Sequence, residues 1–232
     1  MPLSRQVVSL GSLRPTLWGD SAGGLVVTAH GKQSHQGDAD VRAAVTHAVA
    51  RGEQALTWDL PGHGARPGTP ADCRITDAAT KLSEIWDWAS NNFDSLTVFA
   101  TSMGAYLTLV TAPQDRLDRA EFLSTVVDMK GLVEGLMAAV GVSGDELRAR
   151  GRVETPDEPL EWDQFDFTTT HQVGQWKVPT RILRGEEDDV VAEQSIRHFC
   201  ARLGADLTVV PGAAHYFHTP ADLAALDRWL AD

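Results

Sequence analysis

The sequence is short of cations: Lys and Arg number 20 against 32 Asp and Glu, a formal net charge of −12. Such a chain carries no overall positive field to draw in a phosphate backbone, which argues against nucleic acid as a partner. Cysteine is scarce as well, with only Cys73 and Cys200. They form no CxxC or metal-ligand cluster, so two unpaired thiols in a reducing compartment are expected. Neither stands at an obvious turn beside a basic residue, as a nucleophilic thiol would. No window reaches the ~18 apolar residues of a membrane span, and the start of the chain, from Met1 and Pro2 to Val8, lacks an apolar signal region. A soluble cytoplasmic protein is the expectation. No phosphate-cradling G-x-x-x-x-G-K-[ST] occurs, and the histidine pairs at 30/35 and 215/218 lack further ligands for a metal. No cofactor is implied.

What is present is a globular composition, 43% hydrophobic and 22% charged over 232 residues, enough for one large core. Residues 6–10 and 13–18 read as two short strands about a Gly11-Ser12 turn. The apolar run 25–29 reads as a strand covered on both faces, followed by a helix carrying Val41, Ala44, Val45, Ala48 and Val49 and a strand over 54–58. Strand, helix, strand implies a parallel sheet. Ile75, Ala78, Leu82, Ile85, Trp86, Ala89 and Phe93 mark a longer helix, and a further strand is expected over 120–127 with Asp128 at its end. Alternation then lapses from 129 to 177, where a helical piece over 132–140 and an acidic segment over 154–166 suggest an inserted cap. The aromatics Trp162, Phe165, Phe167 and Trp176 need burial there, against a solvated loop. Met129, Leu132, Val133, Leu136 and Met137 either line a small acyl pocket or pack on the core, packing being the commoner use. Strands resume at 179–185 and 206–210, with helices over 192–203 and at the C-terminus. The expected organisation is a core of 1–128 and 178–232 interrupted by 129–177.

The stretch from Ser95 to Leu107 alternates, breaks at Ser102, and then turns helical, which reads as strand, sharp turn, helix. A serine at such a turn projects its hydroxyl beyond the sheet, the mechanics of a nucleophile elbow. The usual pattern is G-x-S-x-G, and Ala100 stands in place of the first glycine, so small neighbours are expected around it. A serine opening a helix is otherwise an ordinary N-cap. Ligands gather beyond the carboxyl ends of parallel strands, and there the sequence places His30-Gly31-Lys32, Asp59, Ser102, Asp128, residues 185–189 and His215. Ser102 as nucleophile needs a base and an acid to orient it; His215 and one of these carboxylates supply them. Oxyanion donors would be the N–H groups of Met103 and of the loop after Gly31, at Lys32.

These stretches together resemble the α/β hydrolases, of the monoacylglycerol-lipase or serine-aminopeptidase type. The matching pieces are His30-Gly31, residues 59–64, residues 100–104, residues 185–191 and residues 211–215, in family order. The resemblance implies a mostly parallel central sheet with helices on both faces and a small inserted cap. It places the acid three residues after a glycine, which selects Asp188, with Asp128 as the alternative that some members of the fold use. His30 and His63 read as structural, holding the oxyanion loop and the turn after the fourth strand, and His218, the competitor to His215, precedes Thr219-Pro220 at a helix start and reads as a structural or rim residue.

The expected activity is serine hydrolysis of a small or medium carboxylic ester, thioester or amide through an acyl-enzyme on Ser102. An acyltransferase sharing the triad, or a non-catalytic ligand-binding protein on the same fold, are the alternatives. The partner is a small molecule, and the substrate stays open because fold sets reaction class alone.

Overall fold

The computed structural model describes residues 3–20, 23–156 and 159–232. Met1 and Pro2 of the chain start, and Asp157 and Glu158 of the acidic segment, lie outside the described residues. Eight strands form one sheet in the order β1-β2-β4-β3-β5-β6-β9-β10: β1 Arg5–Val7, β2 Thr16–Trp18, β3 Leu25–Ala29, β4 Gln54–Thr57, β5 Leu96–Thr101, β6 Leu117–Leu123, β9 Thr180–Gly185 and β10 Asp206–Val210. β2 runs antiparallel to β1 and β4, and the rest are parallel. β3 is buried along its whole length, which is why it reads as a continuous apolar run rather than an alternation.

Helices cover both faces. α1 Ala39–Ala50 and α8 Pro220–Ala231 pack with Val26, Phe99, Leu123 and Leu183 on one side. α2 Ile75–Asn92, α3 Met103–Thr111 and α7 Glu193–Leu203 pack with Val27, Val98, Phe122 and Ile182 on the other. The α2 stripe read from the sequence is the buried one: Ile75, Ala78, Leu82, Ile85, Trp86 and Ala89. Each large aliphatic side chain so buried contributes about 1.5–3 kcal/mol.

Two strand expectations need correction. The first pair is shorter than 6–10 and 13–18, because Pro15 has no N–H for the ladder and β2 begins only after it; Leu10 and Leu13 form an isolated bridge around the turn. The strand expected over 120–127 begins at Leu117 and ends at Leu123. Ser124 has φ +47°, which terminates extended backbone, and Val126 and Val127 are buried without being strand.

Residues 129–177 hold α4 Met129–Ala139, α5 Gly144–Arg150, the antiparallel pair β7 Arg152–Val153 and β8 Leu160–Glu161, and α6 Trp162–Thr170. Trp176 is buried, Trp162, Phe165 and Phe167 are partly so, and all pack on the same cluster as α2 and α3. Tyr106 on α3 donates its hydroxyl to the His171 carbonyl at 2.8 Å, tying the end of α6 down. Of the stripe on α4, Met129, Val133 and Met137 pack on the core, while Leu132 is partly buried and Leu136 is exposed.

Because Leu147 on α5 is fully buried in that shared cluster, Leu147→Ala is expected to lower the stability of the entire chain by about 2–5 kcal/mol. Urea unfolding followed by far-ultraviolet circular dichroism and by tryptophan fluorescence should give coincident midpoints. Two separated transitions would show instead that residues 129–177 fold as their own unit.

Candidate active site

β5 enters the centre of the sheet and turns abruptly into α3 at Ser102. The serine has φ +50° and ψ −115°, a region that L residues other than glycine seldom occupy. Its N–H donates to the Leu123 carbonyl at 3.0 Å, and its carbonyl accepts from Ala105 at 3.1 Å and Tyr106 at 3.2 Å. Although Ser102 occupies the N-cap position, its side chain makes no capping bond, so the ordinary N-cap reading does not account for it. A Cβ at Gly104 would stand 2.2 Å from the Ala29 carbonyl oxygen; only glycine lets the start of α3 sit directly on the end of β3. Ala100, where the pattern has a glycine, lies in register between Ala29 and Phe122. The expectation of small neighbours therefore holds towards β3 and fails towards β6, where the Phe122 ring packs instead on Trp176, with centroids 6.1 Å apart.

The serine hydroxyl is 3.0 Å from His215 Nε2, and His215 Nδ1 is 2.9 Å from Asp188 Oδ2. An ionised carboxylate only accepts, so Nδ1 carries the proton and Nε2 is left to accept from the Ser102 hydroxyl. The Asp188 side chain is almost wholly buried. Burial pushes its carboxyl up, but the bond and charge of His215, with the Val190 and Val191 N–H groups on Oδ1, outweigh this and hold it below the usual range. Asp128 is elsewhere: it caps α4, Oδ1 accepting from the Gly131 N–H at 2.9 Å. His218 is exposed, its Nδ1 on the Tyr216 carbonyl, just before the Thr219 capping box that opens α8.

The acid and histidine loops are joined at the backbone. Glu187 N–H donates to the Ala213 carbonyl at 2.9 Å, and a Cβ at Gly185 would lie 2.1 Å from that oxygen. Three side chains support this arrangement that sequence reasoning did not single out. Ser124 donates its hydroxyl to the His215 carbonyl at 2.7 Å. Arg184, 2% exposed, donates through Nη2 to the Asp188 and Val191 carbonyls at 3.3 and 3.5 Å, while Nη1 lies 3.2 Å from Glu193. Asp40, buried in the first turn of α1, accepts from the Thr101 hydroxyl at 2.8 Å. The one local sign was Arg184 itself, a cation at a buried position of β9.

Met103 is the first residue of α3, where an N–H has no acceptor within the helix. Gly31 is close on the other side, since a Cβ there would be 3.2 Å from Ser102 Cβ, and Lys32 follows it, partly buried. Two histidines clip this loop to the one after β4. His30 donates from Nδ1 to the Gly31 carbonyl and accepts the Leu60 N–H at Nε2. His63 donates from Nδ1 to the Pro61 carbonyl and accepts the Gln33 N–H. Asp59, also buried, takes both the N–H and the side-chain amide of Gln36. Burial lowers both imidazoles, His30 to about 4, so each is neutral. Among the described residues no group of three or more His, Cys, Asp or Glu gathers in a way that would hold a metal.

No family model matches the chain, and no curated protein sequence does either. Solved structures do. Est1E from Butyrivibrio proteoclasticus, with ferulic acid bound, superposes with a TM-score of 0.78 at 17% identity, covering 97% of this chain and 98% of that one. Mouse alpha/beta hydrolase domain-containing protein 10 gives 0.77 at 18%, covering 99% and 97%. The fold is that of the α/β hydrolases. A monoacylglycerol lipase from Paleococcus ferrophilus shares it at a TM-score of 0.66 and 18% identity, covering 94% and 98%. In this hydrolase fold Ser102, His215 and Asp188 stand at the ends of β5, β10 and β9.

A histidine held neutral by burial makes stability depend on pH with a definite sign. His30 takes a proton near pH 6.5 when unfolded and near 4 when folded, so between those values the unfolded chain binds more protons. Stability is therefore lost as pH falls from about 6.5 towards 4, by up to about 1.4 kcal/mol per pH unit for this one group. His30→Gln, which keeps a donor and an acceptor and cannot be protonated, is expected to be less stable at pH 7 but to show a shallower loss over this window. Urea midpoints at pH 7, 5.5 and 4.5 check it; an unchanged slope would mean that His30 is not the group responsible.

Proposed function

We propose that this chain is a serine hydrolase that cleaves a small or medium carboxylic ester, thioester or amide through an acyl-enzyme on Ser102. The observation that carries the reading is the unbroken line of hydrogen bonds from Ser102 Oγ through His215 to buried Asp188. A serine hydroxyl is a weak nucleophile at neutral pH, and a neutral imidazole at 3.0 Å is the base it needs.

In this mechanism His215 Nε2 takes the hydroxyl proton as Ser102 Oγ attacks the carbonyl carbon, and Asp188 stabilises the imidazolium. The carbonyl oxygen, now negative, is held by the Met103 and Lys32 N–H groups, each worth roughly 3–4 kcal/mol of barrier by comparison with other acyl-transfer enzymes. Collapse of the tetrahedral intermediate breaks the bond to the leaving group, which takes the proton from His215. Water, deprotonated in turn by His215, then attacks the acyl-serine; the bond from the acyl carbon to Ser102 Oγ breaks, that oxygen takes the proton back from His215, and the acid is released. The two cysteines are poor rivals as nucleophiles, because burial pushes both thiols up, Cys73 to about 11. Residues 129–177 serve as the cap over this rim. Est1E with ferulic acid and the monoacylglycerol lipase from Paleococcus ferrophilus, both of the same fold, support a carboxylic ester as the substrate class.

Ser102→Ala is expected to abolish labelling by a fluorophosphonate probe with no loss of circular dichroism signal, and labelling that persists would remove Ser102 from the mechanism. Asp188→Asn should fall by about 10⁴-fold in kcat on p-nitrophenyl acetate, whereas Asp128→Asn should stay close to wild type; the reverse order would make Asp128 the acid.

A further inference from the structure

α4 presents two adjacent stripes. Met129, Val133 and Met137 face the core, while Gly131, Leu132, Gly135 and Leu136 line a hollow of about 350 Å³. Val190, Val191 and Ala192, which begin two residues after Asp188, form its other wall, and Val126 closes it. This hollow adjoins the triad at two points: the Val126 N–H points to the Ser102 carbonyl, and the Val191 N–H donates to Asp188 Oδ1. Its polar lining is Asp128, already bonded to the Gly131 N–H, and Ser195. Leu136 and Val190, 40% and 43% exposed, rim it from opposite sides, so apolar surface continues out to the mouth.

The two glycines differ. Gly131 has a structural reason, since a Cβ there would lie 2.4 Å from the Asp128 carboxylate. Gly135 has none: its φ is not positive, and a Cβ would meet nothing within 4 Å. A glycine inside a helix is destabilising relative to alanine, and this one is required neither by packing nor by backbone conformation. What it does is leave the hollow wide.

We propose that this hollow receives the hydrocarbon chain of the substrate and that Gly135 sets how long a chain it admits. The inference deepens the serine-hydrolase reading and rests on it. The apolar lining and a volume at the small end for ligand sites fit an unbranched chain, from either the acyl or the alcohol part of an ester.

The test compares wild type, Gly135→Ala, Gly135→Phe and, as a control on an exposed position of the same helix, Ala138→Phe. Two substrate series are used: p-nitrophenyl esters from acetate to decanoate, and acetate esters from ethyl to octyl. In one series wild-type kcat/KM should rise about fourfold per methylene until the hollow is full. In that series Gly135→Phe should cut the long-to-short ratio by about 30-fold or more, and Ala138→Phe should leave it unchanged; the series affected identifies the chain as acyl or alcohol. Gly135→Ala should raise Tm by about 2–4 °C. Ratios unmoved by Gly135→Phe in both series, or a lower Tm for Gly135→Ala, would overturn the proposal. Calorimetric titration of Ser102→Ala with octanoate and with 1-octanol, with and without Gly135→Phe, supplies a readout that needs no turnover. If no ester is hydrolysed and a fluorophosphonate probe does not label Ser102 the serine-hydrolase reading fails, while binding of either probe that Gly135→Phe does not weaken defeats the hollow alone.

Discussion

Holding Ser102 in a left-handed conformation is the constraint on which the rim of the sheet depends. That geometry costs on the order of 1–3 kcal/mol, and it persists because neighbouring backbone leaves no alternative. Its N–H is fixed on β6 and its carbonyl caps the first turn of α3, while α3 is pressed onto β3 closely enough to exclude a Cβ at Gly104. The same contact that forces the strain aims the hydroxyl at His215 instead of at the helix N-terminus. Ala100 shows how much latitude remains: the strand residue two before the serine accepts a methyl group, and even an adjacent phenylalanine, because the crowding lies on the helix side of the turn.

Around this point the protein uses neutral and charged supports for different tasks. The loop beside Ser102 is held by imidazoles that burial keeps uncharged, each spending both ring nitrogens on main chain. The acid loop is held from beneath by a buried guanidinium on its carbonyls, which fixes the loop while leaving the Asp188 carboxylate for His215 and two N–H groups. Cross-strand pairing carries the same logic into the sheet, where Arg181 joins the in-register Glu121 at 2.8 Å and covers the Trp229 ring of α8.

Much of this was legible in the sequence for a physical reason. Buried parallel strands are close to continuously apolar, so β3 and β5 announce themselves, and the groups that follow them are on one rim. Ser102 was readable because it stands just beyond such a run and His215 because it follows the last strand, whereas Asp188 was chosen among its neighbouring carboxylates only through the resemblance. Residues 129–177 were readable only as a lapse of that alternation; their elements are short, and the division of α4 into core and hollow stripes depends on what faces it. The end of β6 was misread because Val126 and Val127 are as apolar as a strand yet are buried as loop. Ser124 and Arg184 were missed for a different cause. Their partners are main-chain carbonyls, one of them 91 residues away, and a carbonyl leaves no trace in residue type.

The zipped loops of β9 and β10 have a mechanical consequence. Asp188 and His215 belong to one edge unit whose members are bonded to each other through backbone and side chain, whereas Ser102 belongs to the sheet centre. The carboxylate and the imidazole are thus held to each other within that unit, and the 3.0 Å contact to the serine hydroxyl joins it to the sheet centre. Ser124, bonded through its N–H to Leu183 and through its hydroxyl to His215, bridges the two bodies. Its two bonds therefore tie the end of β6 to β9 and to the histidine loop of the edge unit.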